Sequence, residues 1–351
     1  MFSYWLLFGA YAFGATQHAR RAGAQYRVGP IFLFVALATF LMIAFRYKSG
    51  ADWDTYQNIF DYVRDLRLGD VLRYGDPGYS LVNWVAGQLG LGFWCVNFIC
   101  AIFFTWGLMR FARAQPNPWL AVSVAVPYLI IVVGMGYTRQ GVAIGFILAG
   151  LAEFNSKKLI RFAIYIFFAA TFHKTAVVIL PIVALAAARD RILGGIALLA
   201  IAYFLYSTFL SSSVDILVTN YIDQGYDSSG AGIRVAMNLV PATIFLLWRK
   251  RFSMEADQKK VWILFSITSF VMLALLAISP SSTAVDRLSL YLLPLQVIVL
   301  SRVPDAFAVE GDRNPQLVLL VIFYSAIVQF TWFTFAVFSR FWIPYQIYPL
   351  L

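Results

Sequence analysis

Apolar runs alternate with short polar connections along nearly the whole chain. They fall at about 2–16, 28–46, 91–110, 119–137, 140–154, 162–173, 175–188, 192–209, 235–248, 261–279, 288–303 and 317–338. A membrane-crossing helix needs about 20 apolar residues, so the longer runs predict spans. The shorter ones predict helices that are tilted, broken or re-entrant. Two longer polar stretches, 47–90 and 210–234, interrupt the series. Within the first, Tyr56, Ile59, Phe60, Val63 and Leu66 recur at helical spacing. That spacing predicts an amphipathic helix on the membrane surface. The segment YSLVNWVAGQLG at 79–90 predicts a half-length helix beside it. The pattern gives an all-α integral membrane protein of about twelve transmembrane helices, with all 351 residues in one polytopic domain.

Composition agrees with the pattern. Hydrophobic residues make up 61% of the chain and charged ones 13%, about half the charged share of a soluble domain. A soluble enzyme, a disordered chain and a nucleic-acid binder are excluded, because the polar surface each needs is missing. No cleavable signal peptide is evident, and residues 2–16 read as a first span with its amino terminus outside. Cys95 and Cys100 share one apolar run and read as buried thiols, with no disulfide framework.

The net charge is +10. With the amino terminus outside and alternating spans, 17 of the 27 Lys and Arg residues fall on the inner side, and every inner connection holds at least two. This is the positive-inside bias. His18 sits among Arg20 and Arg21 on that side, as a head-group contact. Outside, cations and carboxylates balance. The informative residues are therefore the outer cations at span ends: Arg46, Arg139, Lys174, Arg234 and Arg287. Ionisable groups at membrane depth are costly unless they pair or line a wet cavity. Any one of them is also explained by snorkelling to head groups. Several on one side predict a cationic cavity, and the bidentate fork of Arg suits phosphate. Asp286 beside Arg287 is a candidate local partner that would weaken the phosphate role of that Arg.

Two further groups carry possible proton chemistry. Asp52, in RYKSGADWDTY, either caps the amphipathic helix or acts as general base on a sugar hydroxyl. Asp54 reads as a cap and Asp76, before Pro77 and Gly78, as a turn residue. His173, in ATFHKTA, is either a satisfied polar group at a helix end or an acid–base or phosphate ligand. No metal set, Walker loop or dinucleotide turn occurs, and the short inner connections leave no room for a nucleotide-binding domain.

The order of several short motifs is similar to the EpsG family, the Wzy-like polysaccharide polymerases. These are R-Y-K-x-G-x-D-W-x-x-Y from Arg46 to Tyr56, D-P-G-Y at 76–79, R-Q at 139–140 and H-K-T at 173–175. Gly230–Arg234, R-L at 287–288 and P-Y at 344–345 match more loosely. The resemblance departs at Asp76, where Glu is more usual. It implies a bacterial inner-membrane glycosyltransferase, distantly kin to the GT-C enzymes, with its active site facing the periplasm. Its partners would be undecaprenyl-pyrophosphate-linked oligosaccharides in the bilayer, with room for a chain-length regulator. It implies no cofactor and no metal, and direct attack would invert the anomeric centre. On this reading Arg139, Arg234, Arg287, Arg46 and Lys174 hold the pyrophosphate, and Asp52 or His173 is the base. Trp53, Tyr56, Asp76, Tyr79, Gln140 and Tyr345 contact glycan, with Trp342 as a further stacking candidate. The aromatics are otherwise an interfacial belt. A glycan ligase or another polyprenyl-phosphate-dependent transferase would need the same cavity. A lipid-linked-sugar transporter would need paired halves, and no internal repeat is visible.

Overall fold

Helices occupy almost every apolar run that the computed structural model describes, namely residues 1–17, 28–154, 159–188, 230–279 and 281–348 with the single positions 196, 200, 203 and 207. The expected span at 192–209 (apart from those four positions), the loop residues 210–229, His18, Arg20, Arg21 and the cations at 157–158 and 189–191 lie outside the described residues. The chain opens with α1 (Phe2–Gln17) and α2 (Pro30–Ala44). The first long loop then holds β1 (Arg46–Tyr47), α3 (Trp53–Val63), α4 (Leu68–Val71) and α5 (Pro77–Gln88). Next come α6 (Phe93–Arg113), α7 (Pro118–Ala125), α8 (Thr138–Ala152), α9 (Leu159–Phe172) and α10 (Ile179–Ala188). The last group is α11 (Ala231–Trp248), α12 (Ala256–Ile278), α13 (Ser282–Ser289), α14 (Leu293–Ala306) and α15 (Pro315–Phe335), ending in β2 (Gln346–Ile347).

Among the described residues five helices are long and apolar enough to cross a membrane: α6, α11, α12, the α13–α14 run Ser282–Ala306, and α15. The apolar segments Pro30–Ala44, Pro118–Gly134, Thr138–Ala152, Leu159–Phe172 and Lys174–Ala186 are shorter. The fold is that of an all-α membrane protein, and the sequence-derived number of twelve crossings is met only in part.

Burial divides the bundle into a core and a wall. α7, α8 and α14 are buried almost all round. The wall helices α2, α12 and α15 expose Phe34, Leu37, Phe270, Leu320 and Phe323. A belt of large apolar side chains at the surface requires lipid as its solvent. Two features tighten the core. A side chain at Gly107 of α6 would collide with the carbonyl oxygen of Gly145 in α8, so glycine lets the two backbones meet. α7 continues as a π-helix over Val126–Gly134. Pro127 has no N–H to extend the α-helical ladder there, and the wider ladder takes over.

The first loop folds as expected but packs differently. α3 buries Trp53, Tyr56, Phe60 and Val63 along one stripe. That stripe meets Tyr79 of α5 and Phe93 of α6, and so it is covered by protein instead of lying on lipid. Both cysteines are buried free thiols.

Contacts among connections sort the bundle into two ends. At one, Glu153 pairs with Arg110 and Arg161, and Arg302 reaches Ala114, Gln115 and Ser253. Arg313 there pairs with Asp305 and bonds the Pro116 carbonyl. At the opposite end β1 pairs antiparallel with β2, and the Tyr4 hydroxyl donates to the Trp342 carbonyl. The first loop belongs to this second end.

Candidate active site

The residue at the centre of the second end is Arg139. It sits in the first turn of α8, just after the π-helix, facing the first loop. Its Nη1 donates to Asp76 Oδ2 at 2.8 Å. Its guanidinium lies 5.7 Å from the Tyr56 ring and 6.0 Å from the Tyr79 ring. Those two rings meet edge to face at 5.7 Å. Burial pushes both phenols up from their ordinary range, so they stay neutral and present π faces to the cation.

Asp76 occupies the N-cap position of α5, with Pro77 fixing the first turn, but its carboxylate does not cap that helix. It turns across to α8 and to the bend after α9. Oδ1 accepts the Lys174 backbone N–H at 3.1 Å, and Oδ2 lies 3.7 Å from His173 Nδ1. Burial acts to raise this carboxyl. The contacts with His173, Arg139 and the Lys174 N–H outweigh burial and hold it below the ordinary carboxylate value. Asp76 is only 5% exposed, which leaves no face for a sugar; the expected glycan contact gives way to an anchoring position. Beside it, the hydroxyls of Thr175 and Tyr291 share a 2.9 Å hydrogen bond.

The second cluster joins α8, α11, α13 and the start of α3. Arg287 packs 3.9 Å over the Tyr137 ring, with Nη2 3.7 Å from Asp52 Oδ2. Asp52 stands at the N-cap position of α3 without capping it, so of its two readings the cap is not realised. Gln140 donates to the Arg287 carbonyl at 2.7 Å and ties α8 to α13. Arg234, in the first turn of α11, makes a two-pronged pair with Asp286 at 2.6 and 2.8 Å. Asp286 is therefore the partner of Arg234. Neighbours i and i+1 on a helix point about 100° apart, so Asp286 cannot face the way Arg287 faces. The two clusters adjoin at the start of α8, where Tyr137, under Arg287, and Arg139, beside Tyr56, are two residues apart.

Four residues expected at the site stand elsewhere. Arg46 is 2% exposed and bonds the Ile43 carbonyl, Asn97 and Thr138, so its guanidinium braces α2, α6 and α8 away from the open face. Trp53 is buried edge-on between Tyr47 and Phe93. Tyr345 donates to the Met42 carbonyl and packs on Tyr4. Trp342 likewise turns inward, donating to the Ile131 carbonyl. Both indoles are thus buried in protein interior, while Tyr345 stays half-buried. Sequence reasoning missed Tyr137, Thr175 and Tyr291. Thr175 lay inside the H-K-T segment already singled out, and Tyr137 stands two residues before the R-Q pair.

A largely apolar cavity of about 370 Å³ lies between α11 and α15. Ile233, Met237, Val240 and Ile327 line it, and Arg234 and Tyr128 stand on its wall. Arg139 Nε and Gln140 Oε1 are buried without a hydrogen-bond partner, an arrangement that a folded interior rarely leaves uncompensated. Among the described residues no three His, Cys, Asp or Glu side chains converge on one point.

No curated protein and no solved structure matches the chain. The sequence profile of the EpsG family matches residues 30–347, a span that includes every cluster residue described above. The chain belongs to the EpsG family.

Proposed function

We propose that this protein is a membrane polysaccharide polymerase. It transfers a growing glycan from a polyprenyl pyrophosphate, undecaprenyl in the bacterial case, to a lipid-linked repeat unit. Family membership supports a polysaccharide-polymerase-like role in general. The observation that carries the finer reading is the meeting of Arg139, Arg234 and Arg287 at one end of the bundle. Each is braced by a carboxylate, and two lie against aromatic rings. Three guanidinium groups stand here among Asp52, Asp76 and Asp286. A diphosphate anion suits the two-pronged geometry of guanidinium.

In the proposed reaction the acceptor hydroxyl attacks the anomeric carbon and its proton passes to His173 or Asp52. The bond to the pyrophosphate oxygen breaks, and its electron pair leaves with the phosphate. Fixed cations stabilise that charge as it grows, without rearranging at the moment of reaction. Direct displacement inverts the anomeric centre. The apolar cavity beside Arg234 suits an isoprenoid chain running into the bilayer. The protein would reside in the inner membrane with this end facing the periplasm.

The test uses purified protein in lipid nanodiscs with synthetic lipid-linked repeat units, read as a ladder of products. Arg139→Ala should lower the elongation rate at least about 100-fold, the loss seen when one fixed donor to a developing charge is removed. An Arg139→Ala protein that elongates at the wild-type rate would falsify the phosphate site. Transfer of finished chains to a different acceptor, without elongation, would mark a ligase.

A further inference from the structure

We propose that Asp76 is a positioning residue for glycosyl transfer: its one buried carboxylate faces His173 Nδ1, favours the proton there and so leaves Nε2 as the base. This rests on the function proposed above. Three groups from two separate elements converge on this carboxylate. Arg139 Nη1 stands at 2.8 Å and His173 Nδ1 at 3.7 Å from Oδ2, while the Lys174 N–H donates to Oδ1 at 3.1 Å. The backbone bond fixes the carboxylate against the bend that carries His173. The other oxygen then lies between the imidazole and the guanidinium.

A neutral imidazole carries its proton on one nitrogen only. A carboxylate facing Nδ1 selects the Nδ1–H tautomer and leaves the Nε2 lone pair free to accept a proton. His173 keeps 24% of its side chain exposed, whereas Asp76 keeps 5%. The ring is accessible to a hydroxyl and the carboxylate is not. Asp52, the other candidate base, has its carboxylate turned to Arg287 and braces a phosphate-binding residue. The acceptor proton therefore moves to His173 Nε2 as the acceptor oxygen bonds the anomeric carbon. The pyrophosphate departs with its electron pair toward the three arginines. Because Arg139 and His173 share Oδ2, one carboxylate sets the spacing between the base and the leaving-group site.

The chain has only two histidines. In a His18→Gln background, ¹⁵N spectra of labelled protein at alkaline pH report the His173 ring alone. The expected spectrum is the Nδ1–H tautomer, shifting to Nε2–H in Asp76→Ala. An Nε2–H tautomer in the protein with Asp76 intact overturns the proposal, and that reading needs no variant at position 76. Kinetics supply the second measurement. Asp76→Asn should lower kcat about 100-fold, a general-base contribution, with KM within about threefold, and Asp76→Glu should recover at least tenfold of the loss. His173→Ala combined with Asp76→Asn should lose less than the product of the two single losses, since residues acting as a unit are not additive. Multiplying losses, or a loss confined to KM, overturns the positioning role. Intact protein with the expected tautomer but no elongation overturns the polymerase reading and the base role together, while the Asp76–His173 contact stands.

Discussion

Arg234 and Arg287 carry the same charge in unlike settings, and their substitutions should separate. Asp286 is 6% exposed and held by both prongs of Arg234. Arg234→Ala leaves that carboxylate buried without its strongest partner. It should destabilise the protein by roughly 3–5 kcal/mol, the usual result of breaking a buried pair, measured by thermal unfolding in detergent. Asp52 is 35% exposed, so Arg287→Ala leaves a carboxylate that water can reach. Its stability cost should stay within about 1 kcal/mol, with the deficit appearing in elongation. Asp76 adds a dependence on pH. Its folded value is depressed, so its contribution is present above the unfolded carboxylate value and lost as pH falls through the folded one. The stability gap between wild type and Asp76→Asn should be full at neutral pH and shrink as pH falls below about 4. Arg139, Arg234, Arg287, Asp52 and His173 were legible in the sequence because ionisable groups at span ends need a reason. Their pairings were not, because Asp52 meets Arg287, and Asp76 meets Arg139, only after distant helix ends come together. Arg46 shows the limit of the rule: the same cost at the same depth can be offset by internal hydrogen bonds as well as by a ligand.

Elements were legible wherever apolar runs were long. The described helices start and stop within a few residues of the runs, since in lipid a helix must satisfy its own backbone. What the pattern does not encode is which helices form the core. α8 and α14 read like their lipid-facing neighbours, because lipid and protein interior select the same side chains. Glycine is the discriminating signal: Gly107 and Gly145 mark where α6 and α8 touch. Gly145→Leu forces these backbones apart and should cost several kcal/mol through overpacking, seen as loss of monodisperse protein on extraction. The α11–α15 cavity offers a gentler perturbation. Met237→Trp fills it without touching Arg139 or His173. It should raise KM for the lipid-linked substrate about tenfold, at unchanged kcat and thermal stability, since a clash in an apolar pocket is worth roughly 1–3 kcal/mol. An unchanged KM would remove the isoprenoid from that cavity.

Seen as a whole, the molecule keeps two chemically different ends. One end holds Arg110, Arg161, Arg302 and Arg313 with Glu153 and Asp305, and the other holds the candidate site and both described chain termini. The orientation itself is open to direct measurement. With Cys95 and Cys100 replaced by Ala, Asp65→Cys should react with a membrane-impermeant maleimide on intact spheroplasts. Val309→Cys should react only after permeabilisation. The reverse pattern would turn the protein over. The β1–β2 pairing carries a further consequence, for the order of events during synthesis. Residues 46–47 leave the ribosome long before residues 346–347, so the strand beside the first loop waits with an open edge while the later helices are inserted. Its partner is supplied last, together with the Gly50 bond to Phe341 and the Tyr348 bond to Phe45. A nascent chain thus acquires its lipid-facing wall before this clasp closes beside the candidate site, and a protein cut short of Gln346 should still insert as a bundle while lacking it.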